Sequence, residues 1–304
     1  MPRDFGATNV GVMAEVCVVG SVNLDLSLEV ETLPRPGETV LASSLTYAPG
    51  GKGGNQAVAA ARAGARVQFV GAVGDDAAAG QLRAHLLSNG VRLDGTVETP
   101  GPSGTAIVVV DGNAENTIVV APGANGGLSL ADPAVRTVIA GCDVLLTQLE
   151  IPVRTAADAA RQARSAGALV VVNASPAGQV PNSLRELAAA VDVVITNEDE
   201  AGKWPWRPPH LVVTLGARGA RYVGADGEYT VPSPSVTAVD TTGAGDVFAG
   251  VLAANWPPNP GSPPQRRRAL QRACAAGALA TLVPGAGNCA PDDEAIDTVL
   301  RDEC

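Results

Sequence analysis

The chain has 304 residues, of which 46% are hydrophobic and only 3% aromatic, and its formal net charge at pH 7 is -10. This length suits one large domain, or one domain with a small appendage. The negative charge, together with the lack of a basic patch interleaved with aromatic residues, argues against nucleic-acid binding, and no apolar run reaches the ~20 residues of a membrane span.

The N-terminal segment, residues 1–14, has no apolar core of the kind that secretory signals carry. We therefore expect a loose leader there, followed by a single domain over 15–304. The cysteines are scattered and form no CxxC pair, at Cys17, Cys142, Cys274, Cys289 and Cys304. A zinc site or a disulfide framework is not expected, and a reducing, cytoplasmic compartment is the simpler interpretation.

Short Val-rich strands alternate with Ala-rich amphipathic helices along most of the chain. The strands are predicted at 15–22, 67–74, 106–111, 117–123, 142–149, 168–175, 191–197 and 210–216. The helices are predicted at 55–64, 77–90, 154–167, 182–190 and, as the last one, about 265–283. This alternation predicts an α/β fold with a central, mostly parallel sheet flanked by helices on both faces.

Two segments, at about 25–48 and 104–121, break this rhythm because polar and apolar residues alternate in them. Such alternation is typical of strands with one wet face. We therefore expect a small antiparallel β lid outside the main sheet.

Polar residues follow several predicted strands, at the edge where open α/β sheets bind ligands. They are Asn23 and Asp25, then Glu150, then Asn197 to Glu200, and finally Gly216 to Gly219. Asn23 and Asp25 point the same way in an extended segment, which suits vicinal hydroxyls, although a polar strand end is an equally good interpretation. Asn197 and Glu200 could hold Mg2+ through water, or could be a helix N-cap and a first-turn acid.

The stretch DTTGAGD at 240–246 places Gly243, Ala244 and Gly245 just before an apolar, helix-like run. Backbone N–H groups at a helix start form an anion site, suited to charge that develops during phosphoryl transfer. Asp246 would repel a bound phosphate, so its position makes sense if it accepts a proton from an attacking hydroxyl. The alternative is a tight turn followed by a stabilising first-turn acid.

A second glycine-rich stretch, PGGKGGNQAVAAARAG at 49–64, also precedes a helix. It is not a Walker A loop, because Gly53 follows Lys52 where that loop has Ser or Thr. Glycines here would permit close approach of a small polar ligand, with Lys52 and Asn55 as donors. A flexible turn is the alternative.

Taken together and in this order, the motifs resemble the PfkB family of carbohydrate kinases. GGKGGNQA at 50–57 and DTTGAGDVFAG at 240–250 are similar to its two signatures, with NxxE at 197–200 and TLGARG at 214–219 between them. The resemblance implies a kinase that uses ATP and Mg2+ and dimerises through its β lid. The form of the first signature is similar to that of members that phosphorylate D-ribose at the 5-hydroxyl.

The resemblance also implies roles for the matching residues. Asp246 would be the base, and Gly243, Ala244 and Gly245 the anion hole. The sugar would be bound by Asn23, Asp25, Gly51, Lys52, Gly53, Gly54, Asn55, Glu150 and Asp246. ATP would be bound by Asn197, Glu200, Thr214, Leu215, Gly216, Ala217, Arg218, Gly219, Gly245 and Asp246.

A monovalent cation, K+, would lie behind the anion hole as an activator. The positions that match its ligands are Asp240, Thr242, Ala280, Val283, Gly285 and Cys289. Cys289 is a departure, since the family often has a serine there and sulfur is a poor ligand for a hard cation. Two other departures are the short segment 201–210, which suggests an altered nucleotide rim, and Gly54, where alanine is usual.

Three functions remain open at this point. They are a ribose kinase, a related kinase for another small sugar (deoxyribose, fructose) or a nucleoside, and a non-catalytic sugar sensor. A nucleoside site would need aromatic faces for the base, and the lid segments offer only Tyr47. A sensor would not need Asp246 beside an anion hole.

Overall fold

The structure, a computed structural model, describes residues 13–302 except 114 and 259–260. The predicted leader therefore lies mostly outside the described residues, as does Cys304, and the boundary after residue 14 stays a prediction. The strands are β1 Glu15–Val19, β2 Asn23–Glu29, β3 Ser44–Gly50, β4 Arg66–Val73, β5 Arg92–Glu98, β6 Gly104–Val110, β7 Asn116–Ala121, β8 Val144–Thr147, β9 Leu169–Asn173, β10 Val193–Asn197, β11 His210–Thr214, β12 Ala220–Gly224 and β13 Gly227–Val231. The α-helices are α1 Lys52–Arg62, α2 Ala77–Ser88, α3 Pro133–Ala140, α4 Val153–Ser165, α5 Pro181–Ala188, α6 Glu198–Ala201, α7 Ala244–Asn255, α8 Pro263–Ala280 and α9 Asp293–Asp302.

The main sheet has the strand order β13-β12-β11-β10-β9-β8-β1-β4-β5. All pairs from β11 to β5 are parallel, and β12 and β13 form an antiparallel hairpin at one edge. The central strands are short runs of Val and Leu because both of their faces are covered. The predicted α/β fold with a mostly parallel central sheet is confirmed.

Each face of the main sheet has its own hydrophobic core. Val16 and Val18 of β1 pack in one core, with side chains from α1, α7 and α8. Cys17 and Val19, which point to the opposite face, pack in the other core with α3, α4 and α5. Alternate side chains of one buried strand thus pack against the helices on both faces of the sheet.

Helices α1 and α7 lie in close contact on one face of the sheet. A Cβ on Gly250 of α7 would lie 2.4 Å from the backbone oxygen of Gln56 and 2.8 Å from the Cβ of Ala59, both in α1. A larger residue would force the two helices apart. Their first turns therefore meet, which matters for the site described below.

The small sheet consists of β2, β3, β6 and β7, in the order β3-β2-β6-β7. The hairpins β2–β3 and β6–β7 are antiparallel, as predicted. The two inner strands, β2 and β6, run parallel, because the chain passes through α1 to β5 before it returns to the small sheet in the same direction. The strands of the small sheet come from both predicted lid segments.

Several elements differ from the prediction. The strand predicted at 15–22 ends at Val19, and β2 begins at Asn23. Strands β5, β12 and β13 were not predicted, because none of them has an apolar run; β5 and β13 are the two edges of the main sheet, and β12 lies between β13 and β11. Helix α8 was predicted to be the last helix, but the short amphipathic α9 follows it. In the described part of the chain, no helix combines the length and apolar character needed to cross a membrane.

Candidate active site

The candidate site lies where the carboxyl ends of parallel strands meet the first turns of α1 and α7. Segments after β1, β8, β10 and β11 reach this edge, as expected for an open α/β sheet. The small sheet begins at the same place, because β2 follows β1 after three residues. The chain therefore brings distant polar residues together at one edge of the sheet.

The turn into α7 is built from glycine for two different reasons. Gly243 has a left-handed conformation, with φ of 80°, and a Cβ there would lie 2.7 Å from the Cα of Ala286. At Gly245, a Cβ would meet no atom within 4 Å, so glycine leaves open space beside the helix start. The N–H of Ala244 donates a long hydrogen bond, of 3.3 Å, to the backbone oxygen of Thr241. This predicted donor of the anion hole therefore already has a partner within the chain.

Asp246, in the first turn of α7, is only 8% exposed. Each of its carboxylate oxygens accepts one amide hydrogen from α1: Asn55 Nδ2 donates to Oδ2 at 3.0 Å and Gln56 Nε2 to Oδ1 at 2.9 Å. The close approach at Gly250 makes these contacts possible. The buried carboxylate is therefore held by two neutral donors rather than by an ion pair.

The turn before α1 wraps tightly around the backbone that follows β1. Gly51 has φ of 86°, and a Cβ there would lie 2.7 Å from the backbone N of Asn23. A Cβ on Gly53 would lie 2.6 Å from the oxygen of Ser21, whereas at Gly54 the nearest atom, on Val22, would be 3.2 Å away. The glycines of this stretch thus serve close backbone packing, in addition to any approach of a ligand.

Lys52 lies among several carboxylates at this junction. Asp246 raises its pKa most, burial opposes the rise, and Glu150 and Glu200 add to it. The backbone N–H of Lys52 donates to Glu150 Oε2 at 3.2 Å, and the hydroxyl of Ser21 donates to the same oxygen at 2.6 Å. Lys52 thus offsets part of the negative charge of the site.

Asn23 and Asp25 lie on the face of β2 that is turned to the site. Asn125, which is 1% exposed, donates through Nδ2 to Asn23 Oδ1 at 2.8 Å and so fixes the orientation of that amide. Asp25 Oδ1 is buried and accepts no hydrogen bond from the described residues. Burial, and then the charges of Glu150 and Asp246, raise the pKa of Asp25 to about 7.

A cavity of about 590 Å3 opens on the other side of Gly245. Of the residues predicted to bind ATP, the structure places Asn197, Thr214, Leu215, Gly216, Ala217, Gly219 and Gly245 on its wall. Sequence reasoning missed another group of lining residues, which includes Ser233, Ser235, Val236, Phe248, Gly277 and Ala278. These come from the loop after β13 and from the buried sides of α7 and α8, and no motif marks them.

Glu200, Arg218 and Asp246 were also predicted to bind ATP, and none of the three lines this cavity. Arg218 forms an ion pair with Glu198. Asn197 caps α6, accepting the N–H of Glu200 at 2.8 Å, and Glu200 Oε1 accepts the N–H of Ala177 at 3.3 Å. The interpretation of Asn197 as a helix N-cap, with Glu200 as an acid in the first turn, therefore holds in the structure.

The short segment 201–210 lies beside a second, much smaller cavity. Trp204 lines that cavity with Leu149 and Glu200 and packs at the edge of a core. Its ring contacts that of Trp206 edge to face, at 6.3 Å. Neither tryptophan is on the wall of the larger cavity.

Asp240 ties the start of the motif to the loop after α8. Its Oδ1 accepts the N–H of Thr242 and its Oδ2 the N–H of Gly285, both at 2.8 Å. Burial alone would raise the pKa of Asp240, but these hydrogen bonds outweigh it and lower the pKa. Asp240 therefore stays ionised and holds this loop against the start of α7.

Cys289 is buried beside the same loop. Its Sγ lies 3.3 Å from the oxygen of Ala286 and 3.9 Å from that of Thr242, and burial raises its pKa to about 11. The side chain is therefore a neutral thiol that donates weakly to carbonyl groups. The carbonyl of Ala280 accepts the N–H of Val283 at 3.2 Å. Among the described residues, no cluster of three or more His, Cys, Asp or Glu side chains could hold a metal.

The chain matches the model of the pfkB family carbohydrate kinases over residues 13–293. A ribokinase of Bacillus subtilis is 38% identical over 255 residues, which cover 79% of this chain and 85% of the relative. A bifunctional ribokinase/ribose-5-phosphate isomerase A of Fructilactobacillus sanfranciscensis is 32% identical over 313 residues; these cover 96% of this chain but only 57% of that longer relative. The structure of Arabidopsis thaliana ribokinase complexed with ribose and ATP matches with a TM-score of 0.83 and 28% identity, covering 95% of this chain and 99% of the other.

Replacing Asp25 by Asn is expected to stabilise the ligand-free protein most at high pH. The pKa of Asp25 is raised from 3.8 to about 7, so between these values the native protein retains a proton that the unfolded chain has lost. The shifted pKa therefore lowers the free energy of unfolding as pH rises from about 4 to 7. At pH 8 we expect Asp25→Asn to gain on the order of 2 kcal/mol, as measured by urea unfolding.

The exposed acid Glu31 supplies the control. Glu31→Gln should unfold with the same free energy as the wild type at both pH 5 and pH 8. A gain for Asp25→Asn that is no larger at pH 8 than at pH 5 would contradict the prediction.

Proposed function

The chain belongs to the pfkB family of carbohydrate kinases, and we propose that it transfers the γ-phosphoryl group of ATP to the 5-hydroxyl of D-ribose, giving D-ribose 5-phosphate. The observation that carries the proposal is the position of Asp246. This buried carboxylate lies in the first turn of α7, between two groups of residues. On one side it accepts a hydrogen bond from Asn55, near Lys52 and Asp25. On the other side is Gly245, on the wall of the larger cavity. Relatives named ribokinase, one of them solved with ribose and ATP, support the choice of sugar.

Asp246 acts as the general base in this proposal. Its two oxygens already accept hydrogen bonds from Asn55 and Gln56, and the remaining lone pairs are available to the proton of the sugar hydroxyl. As that proton leaves, the alcohol oxygen attacks the γ-phosphorus in line and the bond to the β-phosphate oxygen breaks. The backbone at 243–245 and the positive end of α7 would stabilise the charge on the transferring group.

The sugar would be bound by a matched set of donors and acceptors. Asn23 presents its Nδ2 to the sugar, because its Oδ1 is occupied by Asn125. Asp25 presents a buried oxygen that has no partner among the described residues. With Lys52 and Glu150 nearby, the set suits a small molecule that carries several adjacent hydroxyl groups.

ATP would occupy the cavity of about 590 Å3, with its γ-phosphate at Gly245. Mg2+ prefers oxygen ligands and keeps much of its hydration. Asn197 and the acids Glu198 and Asp199 provide oxygens on the cavity wall, and Glu200 lies close enough to Lys52 to raise its pKa. These residues would hold the ion through water, and the bound ion would neutralise charge on the phosphates.

We also infer that a monovalent cation, K+, activates the enzyme from behind the anion hole. Asp240 is ionised and held against the loop that carries Ala280, Val283 and Gly285. Their carbonyls and Thr242 would supply hard oxygen ligands, which suit potassium. The thiol of Cys289 would form a wall of the site rather than a ligand, since it is neutral and is directed at carbonyl groups.

The small sheet would mediate a homodimer. In its register, Leu26, Tyr47, Ile107 and Val119 share the face opposite to Asp25. Tyr47 is 59% exposed and Val119 is 61% exposed, so this apolar face lacks cover in a single chain. A second copy would bury it and protect the edges of the sheet.

We further infer a cytoplasmic location, where ATP is available to a kinase. The four described cysteines are free thiols, as is usual in a reducing compartment.

Replacing Asp246 by Asn removes the base but keeps the shape and the neighbours of the side chain. We expect kcat to fall by about 10^2- to 10^4-fold, while the Kd for ribose stays within about threefold of the wild type. Turnover is measured by ADP release and binding by calorimetry. Asp94→Asn, which changes an exposed carboxylate on β5, is the control with normal turnover; near-normal kcat in Asp246→Asn would remove Asp246 from the role of base.

The choice of sugar and cation is tested in one panel. ATP-dependent phosphorylation is measured with ribose, deoxyribose, fructose and adenosine, each in sodium and then in potassium. We expect ribose to give the highest kcat/KM and potassium to raise its turnover by about tenfold, since a bound cation strengthens the anion hole. Preference for another sugar would overturn the ribose assignment, and equal rates in the two salts would overturn the cation site.

The dimer is tested by placing a charge on the apolar face of the small sheet. Light scattering of the wild type should give twice the mass of one chain, whereas Tyr47→Glu and Ile107→Glu should give the monomer, because a buried charge opposes association. Leu87→Glu changes an equally exposed apolar residue on α2 and should stay dimeric. A wild-type monomer would refute the interface.

A further inference from the structure

A chain of buried amides leads from the end of β8 to the carboxylate of Asp246. Gln148 Nε2 donates to Gln56 Oε1 at 2.6 Å, and Gln56 Nε2 donates to Asp246 Oδ1 at 2.9 Å. Both glutamines are 0% exposed. Neither side chain can therefore touch a substrate, and any effect on the reaction must pass through Asp246.

The direction of this chain follows from the chemistry of its last member. An ionised carboxylate only accepts hydrogen bonds, so Gln56 must turn its NH2 group to Asp246 and its oxygen to Gln148. Gln148 must in turn donate its own NH2 group. Its remaining atom, Oε1, accepts no hydrogen bond from the described part of the chain. One buried acceptor is thus left unpaired, and every donor in the chain is directed toward Asp246.

We propose that Gln56 and Gln148 are positioning residues for phosphoryl transfer. Gln56 fixes the plane of the Asp246 carboxylate, and Gln148 fixes which end of the Gln56 amide faces that carboxylate. This inference rests on the proposed function, in which Asp246 is the base. Asn55 holds the other carboxylate oxygen, but it lies beside the sugar site, so its replacement could not separate positioning from sugar binding.

The orientation of Gln56 matters because a reversed amide would be repulsive. If Gln56 turned over, its oxygen would lie against Asp246 Oδ1, at the distance where a donor now sits. Gln148 opposes this turn as long as its NH2 group faces Gln56, because two NH2 groups that face each other cannot form a hydrogen bond. The side chain of Gln148 fits here because Gly20 has no side chain. A Cβ on Gly20 would lie 2.0 Å from Oε1 of Gln148.

The experiment compares two substitutions of Gln148 that differ in hydrogen bonding rather than in size. Gln148→Met removes the donor and leaves Gln56 free to take either orientation. Gln148→Glu matches glutamine in shape, and full burial near Asp246 keeps its carboxyl protonated, so that its O–H can donate to Gln56 Oε1 as the amide does. Gln56→Met removes the contact to Asp246 altogether. Thr147→Val is the matched control, because Thr147 is equally buried next to Gln148 and its hydroxyl has no partner among the described residues.

We expect kcat for ribose to fall about 30-fold in Gln56→Met, about fivefold in Gln148→Met, and by a smaller factor in Gln148→Glu than in Gln148→Met. The Kd for ribose, measured without ATP, should stay within about threefold of the wild type in all of them, and Thr147→Val should keep its kcat. A role in packing alone would make Gln148→Glu no better than Gln148→Met.

The inference is overturned if Gln148→Glu turns over no faster than Gln148→Met, or if the losses appear in the Kd for ribose instead of kcat. If Gln148→Glu does not fold, Gln56→Met decides, and a kcat within twofold of that of Thr147→Val overturns the inference. Absence of ribose turnover in the wild type contradicts the proposed function and, with it, this inference. Turnover in the wild type with unchanged variants contradicts the inference alone.

Discussion

The close contact between α1 and α7 is the constraint on which the rest of the site depends. The two helices can approach because Gly250 has no side chain where the backbone of Gln56 passes. At this separation, the amides of Asn55 and Gln56 reach both oxygens of Asp246. A buried carboxylate is costly without hydrogen bonds, so the packing of the two helices also determines where Asp246 can lie.

The charges of the site are arranged for a ligand rather than for the stability of the empty protein. The charges of Glu150 and Asp246 act on Asp25, and Lys52 offsets the negative charge only in part. The raised pKa of Asp25, and an oxygen that finds no partner among the described residues, show the cost of this arrangement. A molecule rich in hydroxyl groups can supply the missing donors, so binding and stability are coupled through the same atoms.

The small sheet uses the two-residue period of a β-strand to separate two tasks. Asn23 and Asp25 point to the site, and the residues between and beyond them, such as Leu26, point to the opposite face. A shift of the register by one residue would exchange the polar and apolar faces. The pairing of β2 with both β3 and β6 fixes this register along its whole length.

The sequence by itself determined the features whose causes are local. A glycine before a helix, an acid in its first turn and a Val-rich buried strand are each read from a few neighbouring residues, and so the α/β fold, the Gly243–Gly245 turn and Asp246 were predicted. Only the tertiary structure decided which residues hold that site together. Asn125 lies 102 positions from Asn23, and Gln148 lies 92 positions from Gln56; no local pattern marks such pairs, because the parallel sheet brings their ends together only once the chain has folded. Strands β5, β12 and β13 were missed for a related reason, since pairing with neighbouring strands stabilises them in place of an apolar run of their own.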